Sequence, residues 1–317
     1  MINYGKQSID NKDIKAVTDT LQSDWLTQGP KVEEFEHALA EYCGSKYAVA
    51  VCNGTAALHL ANLAIGTDTT TNVITTPITF LATANSVIYA GGHPVFADIV
   101  DNYFTLNPEK VNELARGEIG FKGLIPVHLG GVMCDMDSLK KIANENNYWI
   151  IEDACHALGG EWADKKGTTH TVGDCSHSDM TIFSFHPVKQ ITTGEGGAIT
   201  TNSEELYEKL ISLRTHGMTK DPNQLINNHG GWYYEMQELG YNYRMTDIQA
   251  ALGIEQLKKN DEWVKRRREI VSIYDQAFKN INQVSPQNHP DNNGEYSYHL
   301  YIIQCEKRAK LYQYLKD

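Results

Sequence analysis

The sequence predicts an α/β fold in which a parallel or mixed sheet is covered on both faces. Two observations predict it. Short, almost wholly apolar runs recur along the chain: YAVAVC at 47–52, NVITT at 72–76, PVFADI at 94–99, GLIPVH at 123–128, WIIED at 149–153, TIFSF at 181–185 and GAITT at 197–201. Strands that alternate apolar with polar residues have a wet face; these do not alternate, which suits strands buried on both sides. Helical stretches separate the runs, the pattern of strand–helix–strand units.

Taken in order, the first helix is announced by Asp10, an N-cap residue, with Ile14, Val17 and Leu21 on one face as its expected core side. A second helix follows Pro30, with Val32, Phe35, Leu39 and Tyr42 in register. The run at 47–52 leads into a helix from Gly54 to about Ile65, and the run at 72–76 into one from about Thr79 to Tyr89. Helices at about 245–258 and 261–280 precede a strand, YHLYIIQC at 298–305. This divides the chain into a large domain, 1–255, and a smaller one, 256–317, which stops inside a helical pattern, KLYQYLKD, and reads as incomplete.

Composition narrows the function classes. The 317 residues, 41% hydrophobic and 21% charged, are those of a globular chain. A net charge of −12 argues against general affinity for nucleic acid or anionic membrane, so an anionic substrate needs a local positive site. No apolar run is long enough to span a bilayer, and the opening MINYGKQSIDNKDI has no signal-peptide core. Six scattered cysteines without a CxxC pair fit free thiols in a reducing cytoplasm.

Ligands of open α/β sheets gather beyond the carboxyl ends of the strands, and three polar clusters follow strand runs here. Asn53-Gly54-Thr55-Ala56-Ala57 starts a helix, where free amides and the dipole suit a phosphate; the same residues also make an ordinary helix start. Glu152-Asp153-Ala154-Cys155-His156 ends the run WII. A carboxylate there can hold a cationic ring nitrogen, with His156 on the same side if a helical turn begins; a capping Asp with a partly buried His is the alternative. Ser184-Phe185-His186-Pro187-Val188-Lys189 precedes the Gly-rich turn Thr192–Gly197. Burial there would free a neutral amine able to attack an aldehyde, although most lysines are simply solvated. The order matters: phosphate cradle, then acid, then serine and lysine.

The segments LTQGPKVEEFE, NGTAALHLA, TTPITFLATANSVIYAGGHPVFADI, IIEDACHALGG, TIFSFHPVKQITTGEGGAITT and GYNYRMTDIQAALGIEQL resemble the DegT/DnrJ/EryC1/StrS sugar aminotransferases. That resemblance implies the aspartate aminotransferase-like fold (type I), a mixed, mostly parallel seven-stranded sheet with a smaller C-terminal α/β domain. It implies pyridoxal 5′-phosphate (PLP) as cofactor and a homodimer with shared active sites. Carried onto this sequence, Lys189 becomes the Schiff-base lysine and general acid/base. Asp153 holds the pyridinium nitrogen and His156 approaches the phenolic oxygen. Gly54, Thr55, Ala56 and Ser184 hold the phosphate, Phe80 covers a ring face and Asn242 reaches the neighbour's phosphate. Tyr4 and Leu26-Thr27-Gln28-Gly29 touch the sugar nucleotide.

The segments YGKQSID, SDWLTQGP and SFHPVKQITTGEGG are most similar to the pseudaminic-acid branch, which aminates C4 of a UDP-linked 2-acetamido-2,6-dideoxy-4-keto hexose with glutamate as donor. A related branch carries histidine in place of the lysine and dehydrates; Lys189 implies transamination. The competing readings are an aminotransferase for another nucleotide keto sugar, and a non-catalytic sensor on the same fold.

Two further groups read as structural. Cys175 with His170 and His177 mimics a metal cluster but reads as satisfied surface groups, and Lys265-Arg266-Arg267-Arg268 as a solvated helix face.

Overall fold

The computed structural model describes residues 5–227, 229–290 and 294–317, so the expected substrate contact Tyr4 lies outside the described residues. The chain enters through α1 (Asn11–Leu21) and α2 (Pro30–Cys43). α1 starts as expected: the Asp10 carboxylate accepts from the Lys12 and Asp13 amides, and Asp13 completes a capping box. Its expected core face is turned outward, with Ile14 56% and Leu21 55% exposed. The helix is seated by its polar side instead. Asp13 is buried and takes Lys259 at 2.8 Å and the Gln256 amide at 3.0 Å.

There follow β1 (Tyr47–Val51), α3 (Gly54–Ala64), β2 (Asn72–Thr75), α4 (Leu81–Tyr89), β3 (His93–Phe96), α5 (Pro108–Ala115), β4 (Gly123–Ile125), α6 (Met136–Asn146) and β5 (Trp149–Asp153). A hairpin of β6 (Glu161–Ala163) and β7 (Thr169–Thr171) leads to β8 (Met180–Ser184), β9 (Gly197–Thr201) and α7 (Glu204–Arg214). Seven strands form one sheet in the order β1-β9-β8-β5-β4-β2-β3. Only β9 runs against its neighbours; the other pairs are parallel. The expected fold class therefore stands. Alternate residues feed two cores: Ala48, Ala50, Ile150 and Phe183 pack with Phe35 and Leu39 of α2 and Leu139 of α6, while Val49, Val51, Ile151 and Ile182 pack with Leu58 and Leu60 of α3 and Leu210 of α7. Covering on both faces is why the strand runs carry no polar alternation.

The remaining elements are β10 (Met218–Thr219), β11 (Glu235–Met236), α8 (Asp247–Leu257), α9 (Asn260–Phe278), β12 (Ser285–Pro286), β13 (Ile303–Gln304) and α10 (Arg308–Lys316). The strand expected over 298–305 shrinks to β13, whose partner β12 offers two residues. Upstream of it, the carbonyls of Tyr298 and His299 accept from Arg267 at 3.3 and 3.2 Å, where a strand would use a neighbour's amides. Arg268 likewise donates to the Tyr296 carbonyl at 2.9 Å, so only Lys265 and Arg266 of the basic run are exposed. Cys175 is buried, not a surface group, its thiol donating to the Thr200 carbonyl at 3.3 Å.

Candidate active site

The carboxyl ends of β1, β8 and β5 and the amino end of β9 open on one edge of the sheet. At the first, Asn53 caps α3 by accepting the Ala56 amide at 2.8 Å. The amides of Gly54 and Thr55 have no hydrogen-bond partner among the described residues. Two free donors at a positive helix end make an anion site. Gly54 lets Ser184 approach: a Cβ there would stand 2.9 Å from Ser184 Cβ and 3.5 Å from Cys155 Sγ. The hydroxyl at the end of β8 thus borders the first turn of α3.

Asp153 ends β5 and is buried. Its main chain is fixed by Asp153 N–H donating to the Pro126 carbonyl at 2.9 Å and by His128 N–H donating to its own carbonyl at 3.1 Å. Its carboxylate accepts from the Thr83 hydroxyl at 2.7 Å and the Cys155 amide at 3.2 Å. Each oxygen keeps lone-pair capacity for one more donor. Thr83, on the buried face of α4, escaped the sequence reading; its only local signal was a polar residue among apolar helix positions.

Lys189 lies in the turn after β8, and burial lowers its ammonium's affinity for protons, partly opposed by Cys155 and Asp153. The next residue, Gln190, donates its side-chain amide to the His156 carbonyl and, at 3.2 Å, to Ser297 Oγ. That bond ties the lysine turn to the turn carrying His156. No helix begins at Asp153; 154–160 is a run of turns. His156 Nδ1 accepts the Gly130 amide at 3.3 Å, which places its proton on Nε2. Burial, then Lys189, push His156 down to about 4 against the pull of Asp153, so its ring is neutral. It packs on His299 with centroids 4.5 Å apart.

Phe80 precedes α4 as its N-cap and is exposed. Asn242 is exposed and bridges Thr215; the cap of α8 is Thr246, in a box with Gln249, so Asn242 is free of a capping role. Around it, residues 242–247 knit the site together. Tyr243 O accepts from Cys52 N–H at 2.8 Å, Arg244 bridges Val51, and Thr246 bridges Thr27 of the turn before α2. Leu26, Thr27 and Gln28 are exposed on that turn.

These residues meet what PLP needs: a half-buried amine, a carboxylate with a free lone pair, and unpaired amides beside a hydroxyl. In sequence, residues 7–317 match the DegT/DnrJ/EryC1/StrS aminotransferase family. The chain belongs to that family. As a member it is a PLP-dependent sugar aminotransferase. It is 44% identical over 280 residues to the UDP-4-amino-4,6-dideoxy-N-acetyl-beta-L-altrosamine transaminase of Campylobacter jejuni, covering 88% of this chain and 70% of that protein. The spore coat polysaccharide biosynthesis protein SpsC of Bacillus subtilis is 40% identical over 321 residues, 99% of this chain and 80% of its own. In structure, the aminotransferase resembles Helicobacter pylori PseC, an aminotransferase involved in the biosynthesis of pseudoaminic acid. The TM-score is 0.86 at 33% identity, over 99% of this chain and 80% of that one.

Proposed function

We propose that this aminotransferase moves an amino group from glutamate to C4 of a UDP-linked 2-acetamido-2,6-dideoxy-4-keto hexose, for pseudaminic acid biosynthesis. The observation that carries the transamination is Lys189, its amine biased toward the neutral form by burial and set against Asp153 at the same sheet edge. The Campylobacter and Helicobacter relatives support the acceptor. We assign the roles as follows. PLP, when bound, supplies an electron sink. Gly54 and Thr55 N–H and the Ser184 hydroxyl hold its phosphate, with Ala56 in the same turn. Asp153 keeps the ring nitrogen protonated, and His156 Nε2–H faces the phenolic oxygen. Phe80 covers one ring face. Lys189 Nζ carries the proton taken from the donor's Cα. Tyr4 and Leu26–Gly29 bind the sugar nucleotide, and Asn242 serves the neighbouring subunit of a homodimer. Six free thiols support a cytoplasmic setting.

The GDP-perosamine synthase of Caulobacter vibrioides, 37% identical over 96% of this chain and 77% of its own, supports a second reading in which the acceptor is another nucleotide keto sugar. A panel separates the two. Amine-loaded protein is mixed with UDP-linked and other nucleotide-linked 4-keto and 3-keto sugars, and the return of the cofactor's colour is followed. Fastest turnover is expected with the UDP-linked 2-acetamido 4-keto hexose. A preference for a 3-keto sugar or another nucleotide by tenfold or more would replace it with the second reading.

A further inference from the structure

The turn before α2 holds a conformation that its own sequence disfavours. Gln28 has φ +54, the left-handed region that a residue with a Cβ enters at a cost. Gly29 beside it has no room for a side chain, since a Cβ would stand 2.5 Å from Trp25 Cβ. Nor does the turn cap its own helix: Gly29 is the N-cap of α2 without a side chain, and Pro30 has no N–H. The missing acceptor comes from Asp247, fully buried at the start of α8. Its Oδ2 accepts the Gly29 amide at 2.7 Å and its Oδ1 the Lys31 amide at 2.8 Å. Its own amide donates to the Leu26 carbonyl at 3.1 Å, and the adjacent Thr246 bridges Thr27.

One residue therefore brackets Gln28 on both sides. The carboxylate faces the amino ends of α2 and α8, whose dipoles favour a negative charge there without a cation. Both its partners in the turn are donors, so both oxygens must accept; an amide side chain would set an N–H against an N–H. Strained backbone persists only where the surroundings over-determine it. The side chains of Thr27 and Gln28 meanwhile stay exposed, free to meet a ligand.

We propose that Asp247 is a positioning residue for the amine acceptor: it latches residues 26–31 so that Thr27 and Gln28 are presented to the nucleotide sugar. This rests on the reading that Leu26–Gly29 contacts that substrate. The test is Asp247→Asn in the PLP-loaded enzyme, followed in each half-reaction and by amide exchange. Exchange at the Gly29 and Lys31 amides is expected to speed up at least about tenfold relative to α3, the loss of a charge-assisted hydrogen bond. KM for the UDP-linked 4-keto sugar should rise by about tenfold, with the glutamate half-reaction within about twofold of normal. An equal fall in both half-reactions would assign Asp247 to general stability and overturn the latch. Thr27→Ala and Gln28→Gly separate this from the underlying reading. If both leave the sugar KM unchanged, the turn does not contact substrate and the whole proposal falls. If they raise it and Asp247→Asn does not, the turn contacts substrate but the latch is overturned. Should Asp247→Asn fail to fold, Asp247→Glu, which keeps both acceptors on a longer arm, carries the same test with the same expected rise.

Discussion

Asp153 and Lys189 owe their chemistry to unequal surroundings. Asp153 is held by two donors, the Thr83 hydroxyl and the Cys155 amide, and stays able to accept a third. Lys189 is pressed toward neutrality by burial. Replacing Asp153 with Asn leaves Thr83 a partner but removes the charge proposed to face the ring nitrogen. Cofactor is expected to remain, and deprotonation of the bound amino acid in stopped flow to slow by about ten- to a hundredfold. An unchanged glutamate half-reaction would remove this role from Asp153. His156 gives a second expectation, in stability. Burial lowers it from 6.5 to about 4, so below pH 6.5 the unfolded chain binds a proton that the fold refuses. Stability therefore rises with pH across that window and falls on acidification through it. A shift of this size is worth roughly 3 kcal/mol. Urea unfolding of the cofactor-free protein at pH 4 and pH 7 should show that loss, and His156→Asn should recover part of it. Equal losses in both proteins would place the acid sensitivity elsewhere.

At the scale of elements, the first turn of α3 is where the cofactor's phosphate is assigned, and Gly54 sets its clearance. Gly54→Ala places a methyl 2.9 Å from Ser184 Cβ and 3.3 Å from its Oγ. Cofactor affinity in equilibrium titration is expected to drop at least about tenfold, the scale of one lost hydrogen bond to a charged group. The cofactor-free melting temperature should fall as well, because the methyl is crowded against Ser184 in a buried turn. Undiminished affinity would move the phosphate away from this turn. The seven strands of the main sheet, α2, α3 and the three polar clusters were legible because each is a local pattern: continuous apolar runs, an N-cap, a Gly-rich turn. What was not legible depends on contacts distant in sequence. Thr83 meets Asp153 across 70 positions, and Asp247 meets Gly29 across 218. α5, α6 and α7 lie in the stretches between strand runs, and no motif drew attention to them. The periodicity of α1 showed an amphipathic helix but not what its apolar face would meet. The run YHLYIIQC has strand composition, yet a strand also needs a partner, and β12 supplies only two residues.

For the whole molecule, apolar residues stand uncovered on and just after α1 and at the start of α4: Ile14, Leu21, Trp25, Phe80 and Leu81 are all exposed. Patches of that kind usually meet another surface, and the proposed homodimer would supply one. Asn242, exposed and relieved of capping by Thr246, is the residue assigned to act across it. Mixing Lys189→Ala with Asn242→Ala chains tests that assignment. If Asn242 serves its neighbour, each mixed dimer contains one intact site, and activity should climb toward about half of normal per mixed dimer. No recovery on mixing would confine Asn242 to its own chain. Above this stands the transfer itself. Glutamate labelled in its amino nitrogen is incubated with the enzyme and the UDP-linked 4-keto sugar, and the product is read by nuclear magnetic resonance. Labelled nitrogen is expected on C4 of the sugar with the native enzyme and none with Lys189→Ala. Label at another carbon, or turnover that survives the loss of Lys189, would contradict the account.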